Sequence, residues 1–238
     1  MKILSVDSSA VAASVAVTSN GRLLAEYTLN NGNTHSETLL PMIEAILKSL
    51  KLSVSDIDLF ACSSGPGSFT GVRIGAATVK GLAFAQEKPC VGVSTLEAIA
   101  ENAKLRAGLI CPVMNARRSQ VYTALFRSDG ENITRLMPDS ALAISDLDTI
   151  LSEYGEEVCF CGDGYDITLS LLKKTKPVHT PERLRHQSAF SVASVAAREY
   201  EKGNFGNDVE LSVNYLRPSQ AERERAERLA KENSNGEA

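Results

Sequence analysis

The order in which strand-like and helix-like runs follow one another leaves this chain few folds to adopt. Residues 3–7, 12–18 and 22–29 are three strand-length runs. Ser19-Asn20-Gly21 between the second and third is a hairpin signal, and Leu23, Ala25, Tyr27 and Leu29 alternate along one face. A polar loop then leads into a helix expected over residues 36–51. Its Leu39, Leu40, Met42, Ile43, Ile46, Leu47 and Leu50 cover an arc of about 160° at about 100° per residue, with Glu37, Glu44, Lys48 and Lys51 opposite. A strand at 57–62, a helix at 70–86, a strand at 89–93 and a helix beginning at 95 complete the order βββαβαβα. After a boundary near 105–108 the pattern starts again. Strands are expected at 109–115, 120–127, 134–137 and 157–161, and helices at 166–173 and 188–202.

Three antiparallel strands followed by alternating helices and strands, begun a second time, describe an α/β chain of two similar lobes. The order resembles the actin-like, sugar-kinase and Hsp70 fold, and the expected class is a two-lobed ASKHA (actin-like ATPase, ribonuclease H-like) fold with mixed sheets. The lobes are expected over 1–105 and 106–220, the last helix being free to return to the first lobe. A charged tail over 221–238 reads as a solvated end. With 238 residues, each lobe is long enough to bury a core. A formal net charge of −4 argues against a dedicated nucleic-acid surface, so any link to RNA is expected to run through a partner. No run approaches the roughly 18 apolar residues of a membrane span. The opening residues read as a strand rather than the apolar core of a secretion signal, which places the chain in the cytoplasm. Five cysteines without a CxxC spacing fit buried free thiols there.

The segment Gly65-Pro66-Gly67-Ser68-Phe69-Thr70-Gly71 follows a strand and opens a helix. Such a turn can cradle a phosphate on its backbone N–H groups, or it can serve close packing. It is neither a Walker loop nor a GxGxxG turn after a first strand. The helix it launches carries Gly71, Gly75, Ala76, Ala77, Gly81, Ala83 and Ala85, which cost helix stability and favour close backbone approach. It reads as packed nearly all round, either against a second subunit or within the chain. Asp7 ends the first strand, where an acid can hold Mg²⁺ or bond the turn that follows. Arg117 and Arg118 form a hairpin pair suited to an RNA phosphate or a partner's carboxylate, or simply to solvent. His35, His179 and His186 lie far apart in sequence, and His35 reads as a surface or cap residue.

Gly65 through Gly75, with Asp7-Ser8-Ser9, Ala116-Arg117-Arg118 before Val121-Tyr122, and Tyr215-Leu216-Arg217, resemble the TsaB (YeaZ) family over nearly the whole chain up to Gln220. The resemblance implies a non-catalytic subunit in the synthesis of N6-threonylcarbamoyladenosine at position 37 of ANN-decoding tRNAs. It implies pairing with the catalytic paralogue TsaD, association with the ATPase TsaE, contact with tRNA through the complex, and self-association when alone. It places the partner face on the two helices after the third and fourth strands, at Leu39, Leu40, Ile43, Leu47, Phe69, Val72, Arg73, Gly75, Ala76, Val79 and Lys80. The paralogue's metal-binding His-x-x-x-His pair falls on Thr95 and Ile99, so no metal site is expected and a glycoprotease-like metallopeptidase is disfavoured. An ATPase or kinase of the same fold is the other alternative. Its nucleotide would meet Asp7, Ser8, Gly65, Gly67 and Asp163, so ATP or ADP is an open but unrequired ligand. Asn115 stands where many family members carry an aspartate.

Overall fold

The computed structural model describes residues 1–32, 34–217 and 228. The expected charged tail therefore lies outside the described residues apart from Arg228.

The first three strands, β1 (Lys2–Asp7), β2 (Ala13–Ser19) and β3 (Arg22–Leu29), form an antiparallel meander. β4 (Leu59–Ser63) joins β1 in parallel and β5 (Cys90–Val93) joins β4 in parallel, giving the order β3-β2-β1-β4-β5. The second sheet holds β6 (Gly108–Asn115), β7 (Gln120–Ser128), β8 (Ile133–Ala143), β9 (Val158–Cys161) and β10 (Pro177–Val178). Its order, β8-β7-β6-β9-β10, repeats the first sheet strand for strand. Two mixed sheets of one topology are the ASKHA architecture expected from the sequence.

The pleat of the strands decides which helix covers which face. In β1, Leu4 and Val6 point to α1 (His35–Leu50) and α2 (Phe69–Gln86), while Ile3 points to α6 (Ala189–Glu201). In β6, Leu109, Cys111 and Val113 point to α4 (Ile144–Ser152) and α5 (Tyr165–Leu171). Ile110 and Met114 point to α3 (Thr95–Glu101). Successive Cβ atoms leave a strand on opposite sides, so strands buried on both faces read as continuous apolar runs. The result is layered: α1 and α2, the first sheet, a middle layer of α6 and α3, the second sheet, then α4 and α5.

Ion pairs pin the middle layer. Arg198 of α6 meets Glu97 and Glu101 of α3 at 3.7 and 3.0 Å, and Arg135 of β8 reaches Glu97 at 3.0 Å. All five cysteines are buried and unpaired. Burial pushes the Cys111 thiol up to about 12, well out of the reactive range.

The structure adds three features to the sequence reading. β8 runs from 133 to 143 rather than stopping at 137; it is a half-exposed edge strand with a register shift against β7, so its alternation is weak. The nine-residue α4 and the two-residue β10 are too short to announce themselves by periodicity.

Candidate functional site

The glycine loop is packed, and its cradle is filled by the chain itself. Ser8 and Ser9, just past the end of β1, lie directly against it. A Cβ on Gly71 would stand 2.0 Å from the Ser8 carbonyl oxygen, and one on Gly67 would stand 2.5 Å from that of Ser9. The Ser68 N–H donates to the Ser9 carbonyl at 2.7 Å, the Gly71 N–H to Ser68 Oγ at 3.3 Å, and the Val72 N–H to the Ser68 carbonyl at 2.9 Å. Ser8 Oγ donates to the Gly71 carbonyl at 2.9 Å. The Ser68 and Gly71 N–H groups of this loop are therefore bonded within the chain. Gly65 (φ +114) faces the Asn214 carbonyl, 2.3 Å from where its Cβ would be. The geometry that reads as a phosphate cradle serves close backbone packing instead.

Asp7 completes this arrangement. Its Oδ1 accepts from the Ser9 N–H at 2.9 Å and from Ser9 Oγ at 2.7 Å, and its Oδ2 accepts from Ser63 Oγ at 2.5 Å. Complete burial raises its pKa, and the Ser63 and Ser9 hydrogen bonds only partly oppose that. It acts as the turn acid that ties β1 to β4. His35 stands nearby as the first residue of α1 and donates Nε2–H to the Ala10 carbonyl at 2.7 Å, a capping role for the hairpin tip.

The second sheet repeats the device. Gly162 and Gly164 follow β9 and press on β6: a Cβ on Gly162 (φ +106) would meet the Val113 carbonyl oxygen at 2.1 Å. Asp163 between them accepts from the Asn115 N–H at 3.2 Å. A cavity of about 280 Å³ opens between this loop and residues 11–12 of the first sheet's hairpin. Asp163, Tyr165, Arg185, His186 and Gln187 also line it. Burial pushes the Asp163 carboxyl above its ordinary range, and the Asn115 N–H only partly opposes it. The Arg185 guanidinium lies 3.6 Å over the Tyr165 ring and its Nε donates to the Thr180 carbonyl at 2.7 Å, so this cation is already engaged. Of the five candidate nucleotide residues, Asp163 alone borders the cavity; Asp7, Ser8, Gly65 and Gly67 are bound into the neighbouring loop. Among the described residues, no three His, Cys, Asp or Glu side chains gather as metal ligands. Thr95 and Ile99 are both core residues.

The helix face is the opposite of filled. Leu39, Ile43 and Leu47 of α1, and Ala76 and Val79 of α2, point into the first core, and Val72 is buried at the start of α2 beside the glycine loop. These six expected partner residues serve the fold, because the centre of an amphipathic arc turns toward the chain's own sheet. Gly75 is buried too, with Ser8 Oγ 2.6 Å from where its Cβ would be. Leu40, Phe69, Arg73 and Lys80 keep some or all of their exposure. The helix is not packed all round: Thr70, Arg73, Ala77, Gly81 and Phe84 form one exposed stripe at helical spacing. Phe84 is 71% exposed and Leu40, on the same layer, 56%. The sequence reading does not single out Phe84, whose apolar type suggests core; only the phase of the stripe around Gly81 signals its exposure.

A strap from the chain's end borders this face. Leu211 and Val213 pack into the first core, the Asn214 N–H donates to the Ser64 carbonyl at 2.7 Å, and Tyr215 stacks on Phe69 with centroids 4.6 Å apart. Arg73 sits 3.8 Å over the Phe69 ring and donates Nε–H to Tyr215 Oη at 2.6 Å. Arg217 Nη1 then donates to the Ala116 carbonyl at 3.1 Å, joining the strap to the β6–β7 turn. Arg117 and Arg118 occupy that turn and are exposed. The two arginines and the two helices are thus separate surfaces linked by the strap.

Comparison with known proteins bears on what this arrangement is for. The family model described as "TsaD: tRNA N6-adenosine threonylcarbamoyltransferase" matches residues 22–222. The tRNA threonylcarbamoyladenosine biosynthesis protein TsaB of Bacillus subtilis is 33% identical over 162 residues, 68% of this chain and 71% of that protein. The chain belongs to the TsaB (YeaZ) family. TsaB of Escherichia coli is 38% identical over 135 residues, 56% of this chain and 58% of that protein. YeaZ from Pseudomonas aeruginosa superposes with a TM-score of 0.76 at 25% identity, covering 90% of this chain and 99% of that one. A second Pseudomonas aeruginosa structure, of an uncharacterized protein with similarity to peptidase YeaZ, gives a TM-score of 0.80 over 91% of this chain. In this TsaB-family chain, the filled loop and the open helix face are therefore features of one two-lobed scaffold.

Proposed function

We propose that this chain is a non-catalytic partner subunit of a TsaD-containing complex that makes N6-threonylcarbamoyladenosine at position 37 of ANN-decoding tRNAs in the cytoplasm. One observation carries the reading: α1 and α2, which lie side by side on the first sheet, leave the apolar residues Leu40, Ala77, Gly81 and Phe84 exposed. Glycine and alanine along such a stripe let a second backbone approach closely, and a protruding aromatic supplies an anchor. Large exposed aromatics on a small-residue stripe are features of an interface.

The chemistry of the loops supports a role without catalysis. Asp7 spends both oxygens on Ser9 and Ser63, the glycine loop is occupied by Ser8 and Ser9, and the positions of the paralogue's ligand pair, Thr95 and Ile99, are packed in the core. A catalytic site would leave such groups aimed at a substrate. The same face serves self-association when TsaD is absent, and TsaE joins once the heterodimer has formed. Docking is tested by mixing the chain with its TsaD and measuring the complex mass by light scattering. Phe84→Asp and Leu40→Asp are each expected to weaken the heterodimer by about ten-fold or more, as loss of an apolar anchor does, while the melting temperature stays unchanged. A heterodimer indifferent to both substitutions, or no heterodimer at all, sinks the proposal.

A further inference from the structure

Turns between antiparallel strands are ordinarily built from glycine, asparagine or aspartate where the backbone is left-handed, because a Cβ strains that region. The β6–β7 turn departs from this. Arg117 (φ 65°), Arg118 (φ 53°) and Ser119 (φ 54°) are left-handed in succession. Hydrogen bonds hold them so: the Ala116 N–H donates to the Gln120 carbonyl at 3.0 Å, the Gln120 N–H to the Arg117 carbonyl at 3.1 Å, and the Arg117 N–H to Asn115 Oδ1 at 2.8 Å. Strain fixed in place by surrounding structure is a feature of functional segments.

Among the described residues, the arginine side chains on this turn make no ion pair. Arg117 and Arg118 are exposed, and among the described residues neither guanidinium has a carboxylate within 4 Å. Arg217, brought in by the strap, fastens one nitrogen to the Ala116 carbonyl and likewise lacks a carboxylate among the described residues. Three guanidinium groups gather on one turn of a chain whose formal net charge is −4. Among the described residues no carboxylate offsets their mutual repulsion. A planar guanidinium fork suits phosphate oxygens, and several held together suit a polyanion better than one carboxylate.

We infer that the β6–β7 turn together with Arg217 is a contact for the phosphate backbone of RNA, made when the chain sits in its complex. The inference rests on the proposed function above, which supplies the RNA. The strap runs from the N-terminal turn of α2 to this hairpin, so the arginines adjoin the docking face without being covered by its stripe. Contacts of this kind hold an RNA in register and carry no sequence preference.

The experiment uses the heterodimer with TsaD and an unmodified transcript of an ANN-decoding tRNA, with affinity followed by fluorescence anisotropy from 50 to 200 mM salt. Arg117→Gly with Arg118→Gly relieves the left-handed strain, so the variant folds and its Tm rises by about 2–4 °C. Its affinity for tRNA falls by about ten-fold, and the slope of log K against log salt becomes shallower by roughly 1.5, the loss of two phosphate contacts. Arg217→Ala lowers the slope by roughly 0.8. Arg117→Lys with Arg118→Lys keeps most of it, and heterodimer affinity is the same in every variant. An unchanged salt slope overturns the inference and leaves the docking proposal standing. So does an unchanged slope combined with a weakened heterodimer, which would make the turn a protein contact. A wild-type chain that forms no heterodimer overturns both at the first step.

Discussion

Gly71→Ala and Gly81→Ala place the same methyl group on the same helix, yet the structure assigns them opposite effects. A Cβ at position 81 meets nothing within 4 Å, while at position 71 it meets the Ser8 carbonyl oxygen at 2.0 Å. Intrinsic propensity favours alanine by about 1 kcal/mol at both sites. At position 81 that gain stands alone, so the variant is expected to be about 1 kcal/mol more stable, with Tm up by about 2–4 °C. At position 71 the atom met is backbone, anchored by the Ser68-to-Ser9 hydrogen bond and by the hydroxyl of Ser8, and it cannot turn aside. The start of α2 must move by about 1 Å or more to restore ordinary contact, and overpacking on that scale costs about 3 kcal/mol or more. Net of propensity, Gly71→Ala is expected to lose about 2 kcal/mol or more, with Tm down by roughly 4–8 °C. Urea melts of the three proteins measure this, with equal m-values required for the comparison. Gly71→Ala as stable as the natural chain would refute the filled-loop geometry. Gly81→Ala less stable would refute the open helix face.

The carboxylates give three further tests, and the strap a fourth. Asp148 is buried between α4 and the segment after α5, and accepts from the backbone N–H groups of Lys173, Lys174 and Thr175 at 2.8, 3.0 and 2.8 Å. Burial works to raise its pKa, but these donors outweigh it and pull the value below 3.8. Asp148→Ala should cost about 3 kcal/mol at neutral pH in a denaturation curve. Because the folded pKa is depressed, Asp148's stabilisation is present above pH 3.8 and is lost as the pH falls through the folded value; a difference between natural chain and variant that grows on acidification would contradict this. Asp7 has the reverse sign. Its burial raises the folded pKa, so the natural chain should gain stability relative to Asp7→Asn as the pH falls toward 3.8, and lose it as the pH rises through the folded value. Asp7→Asn is also expected to leave TsaD binding unaltered, and a loss of binding with intact folding would restore a ligand role for this acid. Tyr215→Ala removes the stack on Phe69 and the hydrogen bond from Arg73, and should cost about 1–2 kcal/mol while speeding proteolysis within residues 211–217; equal cleavage rates would count against a fastened strap.

Sequence patterns disclosed the sheets better than the surfaces. Continuous apolar runs such as Ile3-Leu4 and Leu109-Ile110 announce strands covered on both sides, and the repeated order of elements follows from them. Position on a wheel, by contrast, marks Leu39 and Leu40 as equal neighbours, although one is buried and the other stands in solvent. Neither residue's type tells them apart; the axis of the helix relative to the sheet does. The loop at Gly65–Gly71 shows the same limit: its glycines announce close approach, but whether a phosphate or the Ser8 and Ser9 backbone approaches depends on residues some 60 positions earlier. Tyr215 and Arg217 belong to the site only because residues 211–217 run from the first core to the β6–β7 turn, and such long-range neighbours leave no local periodicity.

The position of α6 and the strap also sets an order of assembly. One face of the first sheet is covered by Val192, Val195 and Ala196, and its other core is completed by Leu211 and Val213. All five strands of that sheet leave the ribosome before any of these residues exists. Domains made first commonly fold first during synthesis, but here the first half must wait with an apolar face bare until the last fifth of the chain arrives. Ribosomes that stall or terminate before residue 189 would release a chain whose first half lacks its cover, a substrate for chaperones and proteases rather than a working fragment. The two sheets look like a duplication, yet the molecule is completed from its far end.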